Sequence, residues 1–198
     1  MPRLGAEPIR RDALIKATIA EIARAGSLDV TVAQIARRAG MSPALAHHYF
    51  GAKEALFLAA MRHILMLYGA EVRGALAAAE GPRGRLRAVV RASLGPGNFR
   101  REAVGAWLNF WLLAQSSAPA RRLLTIYRRR LRSNLRAALR PLTDQPEAVA
   151  ETVAALIDGA WLGAALAPDK PGETPDAPRE AARAIAAVER YLAAELGS

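Results

Sequence analysis

The sequence predicts an all-α protein, built as an N-terminal three-helix helix-turn-helix domain over residues 1–54 and a larger helical domain over residues 55–198. Three observations carry this expectation. Apolar residues recur every three or four positions along most of the chain, and no run alternates with the period of a strand. Between Thr31 and Lys53, the stretch TVAQIARRAGMSPALAHHYFGAK reads as two short helices joined by a tight turn. Charge is segregated. Residues 1–53 carry eight Lys or Arg against four acids, residues 121–140 eight Arg and no acid, and residues 141–198 four basic against ten acidic residues.

The first helix is expected from Arg10 to Ala25, where Leu14, Ala17, Thr18, Ile22 and Ala25 keep helical spacing and Gly26 stops it. Arg3, Arg10 and Arg11 precede or open it, either as a basic arm for backbone phosphates or as solvated terminal charge. Thr31 and Gln34 then fit a capping box, each side chain meeting the other residue's orphan backbone N–H. Ile35 and Ala39 give the second helix its apolar stripe, with Gln34, Arg37 and Arg38 off it. Gly40 suits the left-handed conformation that ends a helix, and Met41 plugs the corner. Ser42 is a good N-cap, and Pro43 stands at the first helical position, where its missing N–H costs nothing. In the third helix, Leu45, Ala46 and Tyr49 are expected inside, and Pro43, Ala44, His47 and His48 outside. Small residues at a helix start allow close approach to a groove floor, while Ser, His and Tyr donate to phosphates or bases. The same pattern also suits an ordinary helical hairpin in a bundle.

A long helix is expected from Lys53 to about Ala79, with Leu56, Ala60, Ile64, Leu67 and Val72 inward and Gly81-Pro82 ending it. A short helix, Leu86 to Leu94, is closed by the turn GPGN at 95–98, and another runs from Arg101 to Ser116. On the latter, Trp107, Phe110 and Trp111 stand at i, i+3 and i+4 and share a face. From Arg121 to Arg140, Leu124, Tyr127, Leu131 and Leu135 point inward and arginines fan outward. That fan suits either a second nucleic-acid surface or a solvated face paired with the acidic C-terminal part, and the second reading is favoured because the segment lies beyond the helix-turn-helix. Pro146 to Ala167 forms a helix with a narrow stripe of Val149, Val153, Leu156, Ala160 and Ala164. Asp169–Pro178 reads as a loop, and a last helix puts Ile185, Val188, Leu192 and Leu196 on one side.

Composition bounds the function. Of 198 residues, 52% are apolar and 23% charged, which describes a globular chain able to bury a core. The absence of cysteine removes disulfides and thiolate metal sites and fits a reducing cytoplasm. The opening MPRLGAEPIRR lacks the apolar core of a signal peptide. The weakly charged run Val153–Ala167 is broken by Asp158 and is shorter than the ~20 residues of a membrane span, so no membrane partner is expected. A net charge of +10 suggests a polyanionic partner, and the acidic C-terminal part suggests a separate task there. No catalytic residues, cofactor or metal are expected. His47 and His48 are neighbours about 100° apart on a helix and cannot readily share an ion. Neither a nucleophile elbow nor HExxH is present. A helix-turn-helix of this size reads one half-site, so a homodimer on a palindromic operator is expected, joined by the last two helices with their small-residue stripes. All three tryptophans lie outside residues 1–54, and Asp158 stands one turn from Trp161. Ring faces and a carboxylate around one pocket suit an organic cation. Tryptophans filling a core, with Asp158 solvated or paired with arginine, suit the same pattern.

The residues AxxAGMS, then HYF, then Lys53 and EALF resemble the DNA-binding domain of TetR-type regulators. The resemblance implies that the helix matching Ser42–Tyr49 enters the major groove, with Tyr49 and Lys53 holding phosphates. It makes Thr31, Arg37, Ser42, Pro43, Ala44, His47, His48, Tyr49 and Lys53 the candidate DNA-contacting residues. Nearly the whole chain, through AWLNFW, RRLRSNLRAALRPL and ALIDGAWL, further resembles the choline-responsive repressors of choline uptake and glycine betaine synthesis genes. What that implies is an effector site drawn from Trp107, Phe110, Trp111, Tyr127, Asp158 and Trp161, with choline releasing the operator. The departures are Ala44, where the family often has Gly, and Gly163, where the relatives often have Arg; a different small effector is the alternative.

Overall fold

The computed structural model describes residues 6–167 and 176–197, and among these there are nine α-helices, one 3-10 turn and no strand. The helices are α1 (Ala6–Ala25), α2 (Val32–Arg38), α3 (Pro43–Phe50), α4 (Lys53–Ala77), α5 (Gly81–Ser93), α6 (Arg101–Ser116), α7 (Ala118–Leu139), α8 (Pro146–Leu166) and α9 (Ala177–Leu196), with the 3-10 turn at Pro96–Phe99. Arg3 and most of the expected loop Asp169–Pro178 lie outside the described residues. The chain divides into two compact units, Met1–Leu65 with Gly105–Leu123, and Met66–Val104 with Leu124–Ser198.

In the first unit, α1 packs on α2 and α2 on α3. Leu14, Ala17 and Ile22 of α1 are buried together with Ile35, Ala36 and Ala46 of the two short helices. Leu56, Phe57, Ala60 and Met61 of α4, and Ala106, Trp107, Phe110 and Ala114 of α6, are buried in the same unit. A Cβ added at Gly105 would lie 3.8 Å from the Ala23 Cα, so α6 comes close to α1 there. Arg121 donates to the Ala114 and Gln115 carbonyls at 3.1 and 2.8 Å, satisfying the end of α6.

In the second unit, α9 packs on α5, on α8 and on the 3-10 turn. Asn98 Nδ2 donates to the Ala92 and Ser93 carbonyls and ties that turn to the end of α5. Arg83 caps the last carbonyls of α9, those of Leu196 and Gly197. Along α7 and α8, three ion pairs form a ladder: Arg128 with Asp158 at 3.5 Å, Arg132 with Glu151 at 2.8 Å and Arg136 with Glu147 at 4.0 Å. Three of the seven arginines of α7 are therefore met by carboxylates of the second unit.

Several expectations need correction. Ala46, not Leu45 or Tyr49, is the fully buried residue of α3, because a methyl lets α3 sit close to its neighbours while the larger side chains cover the edge. On α4, Leu67 is exposed and Tyr68 is buried instead, its hydroxyl 2.8 Å from Ser93 Oγ. Gly81-Pro82 opens α5 rather than closing α4, since Pro at the first turn of a helix surrenders no hydrogen bond. On α8 the buried stripe is Val149, Val153, Ala154, Ile157 and Trp161, whereas Leu156, Ala160 and Ala164 stay partly or fully exposed. By length and apolar composition, α4 and α8 could each cross a membrane, although about a third of each most apolar window is buried in the protein. For α8 this exceeds the expectation that the stretch is too short.

Candidate nucleic-acid interface and effector site

The helix-turn-helix is held by local chemistry. Thr31 is the N-cap of α2: its Oγ1 accepts from the Gln34 N–H at 3.1 Å, and Gln34 Oε1 accepts from the Thr31 N–H at 2.7 Å. A cap of this kind contributes about 1 kcal/mol to a helix of only two turns. Gly40, at φ +68°, turns the chain, and the Met41 N–H donates to the Ala36 carbonyl. Ser42 Oγ then accepts from the Leu45 N–H at 3.2 Å, with Pro43 in the first turn of α3. Two helices joined by one left-handed glycine, each with a side-chain N-cap, fix the direction of the second.

The outward face of α3 carries exposed Pro43, Ala44, His47 and His48, flanked by exposed Arg37, Ser42 and Lys53. His47 Nδ1 lies 2.9 Å from the Gly51 carbonyl, which fixes the ring and leaves Nε2 to point away from the helix end. His48 and Tyr49 meet edge to face, with centroids 5.4 Å apart. Lys53 Nζ lies 5.4 Å from the Phe57 ring, and the side chain remains exposed. These residues supply hydroxyl, imidazole, guanidinium and ammonium donors around a helix start made of small side chains.

Sequence reasoning did not single out Glu21. It is buried on α1, where Arg24 donates to Oε2 and Arg38 of α2 donates to Oε1. Those hydrogen bonds hold its carboxyl below the ordinary glutamate value. A carboxylate between Thr18 and Ile22 on an apolar stripe is the signal that marks it in the sequence.

The six candidate effector residues fall in both units. Trp107, Phe110 and Trp111 are in the first. Trp107 and Phe110 are wholly buried there, and Trp111 is half-buried with its indole N–H enclosed and unbonded. Tyr127, Asp158 and Trp161 come together in the second. The Tyr127 and Trp161 rings stack with centroids 6.3 Å apart, and Tyr68 meets Tyr127 edge-on at 5.3 Å. Burial pushes the Tyr68 hydroxyl up to about 12, and that of Tyr127 well above the ordinary value, so both stay protonated donors. Asp158 is partly buried beside them. Its Oδ2 faces Arg128 at 3.5 Å, while Oδ1 is enclosed without a donor. Burial raises its carboxyl above the ordinary aspartate value, against the opposing pull of Arg128 and Arg132. Tyr68 and Arg128 are further residues of this cluster that sequence reasoning passed over, since nothing local marks them.

Capped short helices around a glycine turn, ahead of a larger helical unit, define a helix-turn-helix DNA-binding regulator. Residues 14–60 match the family described as bacterial regulatory proteins, tetR family, and residues 82–197 match BetI-type transcriptional repressor, C-terminal. The HTH-type transcriptional regulator BetI of Brucella anthropi is 48% identical over 198 residues, covering 99% of this chain and 98% of that protein. A transcriptional regulator from Pseudomonas aeruginosa PAO1 superposes with a TM-score of 0.76 at 30% identity, over 97% of this chain and 93% of the other. A regulator from Saccharomonospora viridis, solved in complex with choline, shares the fold with a TM-score of 0.75 at 22% identity, over 92% and 94% of the two chains. The chain belongs to the TetR family of DNA-binding transcriptional regulators, among its BetI-type repressors.

Proposed function

We propose that this repressor controls genes of choline uptake and glycine betaine synthesis and that choline releases it from its operator. The observation that carries the effector is the Asp158 carboxylate, which keeps one buried oxygen without a donor next to the stacked Tyr127 and Trp161 rings. A quaternary ammonium group has no N–H and binds through charge and ring faces, so it needs a carboxylate and aromatic walls rather than hydrogen-bond partners. Each ring contact contributes about 0.5–2 kcal/mol, which with one opposite charge gives micromolar to millimolar affinity. The choline held by the regulator from Saccharomonospora viridis, a protein of the same fold, supports this choice of ligand.

On this reading, residues 1–54 form the DNA-reading domain and residues 55–198 bind the effector and the second copy. Ser42, Pro43, Ala44, His47 and His48 meet the major groove, and Thr31, Arg37, Tyr49 and Lys53 hold phosphates. Two copies bind a palindromic operator in the cytoplasm. Choline shifts the protein toward a state of weaker operator affinity, by no more than its differential affinity for the two states.

Calorimetry with choline, alongside operator binding with and without it, tests the reading. Choline binding that weakens operator affinity in the native protein, with both effects lost in Asp158→Asn, is expected. No heat at millimolar choline and no change in tryptophan fluorescence would leave a TetR-family repressor of another effector, the second reading that Gly163 favours.

A further inference from the structure

Arg11 stands on α1, where the sequence suggested either a basic arm for backbone phosphates or solvated charge, and it is instead engaged within its own unit. Its Nη1 donates to the Tyr49 carbonyl at 2.6 Å, and its Cζ lies 4.5 Å from the centroid of the Phe50 ring. Tyr49 is the penultimate residue of α3, so its carbonyl is one of the last four that no helical N–H can reach. A cation there also complements the negative end of the helix dipole. The Gly51 N–H takes the His47 carbonyl at 2.7 Å, and Arg11 takes Tyr49. Glu7, one turn back on α1, lies 3.9 Å from the same Nη1.

Ten residues further along α1, about 15 Å on the helix axis, the buried Glu21 carboxylate receives Arg38. Arg38 is the last residue of α2, immediately before the turn. One rigid helix therefore grips the end of α2 with an acceptor and the end of α3 with a donor. The grip is needed because α3 has eight residues, too few to be stable alone, and only Ala46 of it is fully buried. Leu45, Tyr49 and Phe50 are only partly buried, so apolar packing alone leaves the tilt of α3 weakly determined.

From this geometry we infer that Arg11 is a positioning residue for operator recognition, acting through the Tyr49 carbonyl and the Phe50 ring and not as a phosphate ligand. Glu21, through Arg38, is the opposite anchor. The inference rests on DNA binding by the family and is independent of the effector.

The test uses the full chain with Arg11→Met, which removes the donors, and Arg11→Lys, which keeps the charge but lacks the planar fork. An operator duplex is first selected from a random pool by the native protein. In both variants operator affinity is expected to fall about tenfold, the scale of one charge-assisted hydrogen bond and one cation–π contact. Random-duplex affinity and the salt slope are expected to stay as in the native protein. Hydrogen exchange at the Gly51 and Ala52 amides is expected to speed up in the protein without DNA, a change that loss of a phosphate contact would not produce. Full recovery by Arg11→Lys would overturn the inference, as would a salt slope lowered by about 1 in Arg11→Met with operator and random duplex weakened alike. Unchanged exchange at those amides would also overturn it. Phe50→Leu, which keeps an apolar residue but removes the ring, is expected to lower the operator-to-random ratio. Retention of the native ratio in Phe50→Leu counts against the inference even if the Arg11 variants do not fold.

Discussion

Asp158 shows how one residue sets a pH dependence. Its folded-state value lies above the ordinary 3.8, chiefly through burial, so the folded protein keeps its proton to higher pH than the unfolded chain does. The sign follows: its contribution to stability is full below about 3.8 and is lost as pH rises through the folded value. Arg128 and Arg132 are the charges that face it, with the Tyr68 and Tyr127 hydroxyls nearby. Cation binding needs the ionised form, so choline affinity should weaken on acidification with a midpoint above 3.8, and in Asp158→Asn should be weak and flat with pH. Calorimetry across a pH series reads both. Glu21 has the opposite sign: lowered by Arg24 and Arg38, it stabilises above about 4.5, and that stability is lost as pH falls through its folded value. Exposed Lys53 makes a third case. Lys53→Ala should weaken binding to any duplex and lower the salt slope by about 1 in a binding series, and an unchanged slope would remove it from the phosphate contacts. Thr31, Gly40 and Ser42 were legible in the sequence because a cap is decided by residues three positions away. Arg11 and Glu21 were not. Their partners lie 38 and 17 residues off, and only the packing of α1 against the turn brings them together.

At the scale of elements, α6 was readable to the residue, whereas α5 began earlier than its apolar spacing suggested. Gly81-Pro82 punctuates either way, and Arg83, Gly84 and Arg85 before Leu86 offer no apolar residue to mark the first turn. The faces of α8 and α9 divide similarly. Sequence periodicity finds a stripe but cannot say whether its own chain or a second copy covers it. Val188 and Leu192 of α9 are buried in the second unit, while Leu156, Ala160, Leu162, Ala164 and Leu166 of α8 retain exposure. The proposed dimer therefore belongs on the Leu156–Ala164 side of α8. Ala164→Arg should give folded monomers with sharply reduced operator affinity, read by light scattering and circular dichroism. Leu192→Arg should instead destabilise the second unit by about 2–4 kcal/mol, because it buries a charge within one chain, and melting rather than mass should report it.

For the molecule as a whole, a net charge of +10 suggested nucleic acid without saying where it would bind. The ladder along α7 and α8 settles part of the distribution, since Arg128, Arg132 and Arg136 each face a carboxylate. The exposed pairs of Arg132 with Glu151 and Arg136 with Glu147 contribute about 0.2–1 kcal/mol each, so they set register more than stability. Architecture and class were legible because helical period and the turn motif repeat over many residues. The effector cluster was legible only in part. Trp161 and Asp158 share one helix, but Tyr68 and Arg128 reach them from others. The pairing of Arg128 with Asp158 has a regulatory meaning on the proposed reading. A cationic inducer arriving at that carboxylate competes with a guanidinium the protein already carries, so the dose that relieves repression reflects an exchange of one cation for another. Arg128 then acts as a resident antagonist that sets the threshold of the response, and a gene circuit could be made more or less sensitive at that one position without altering the sequence it reads.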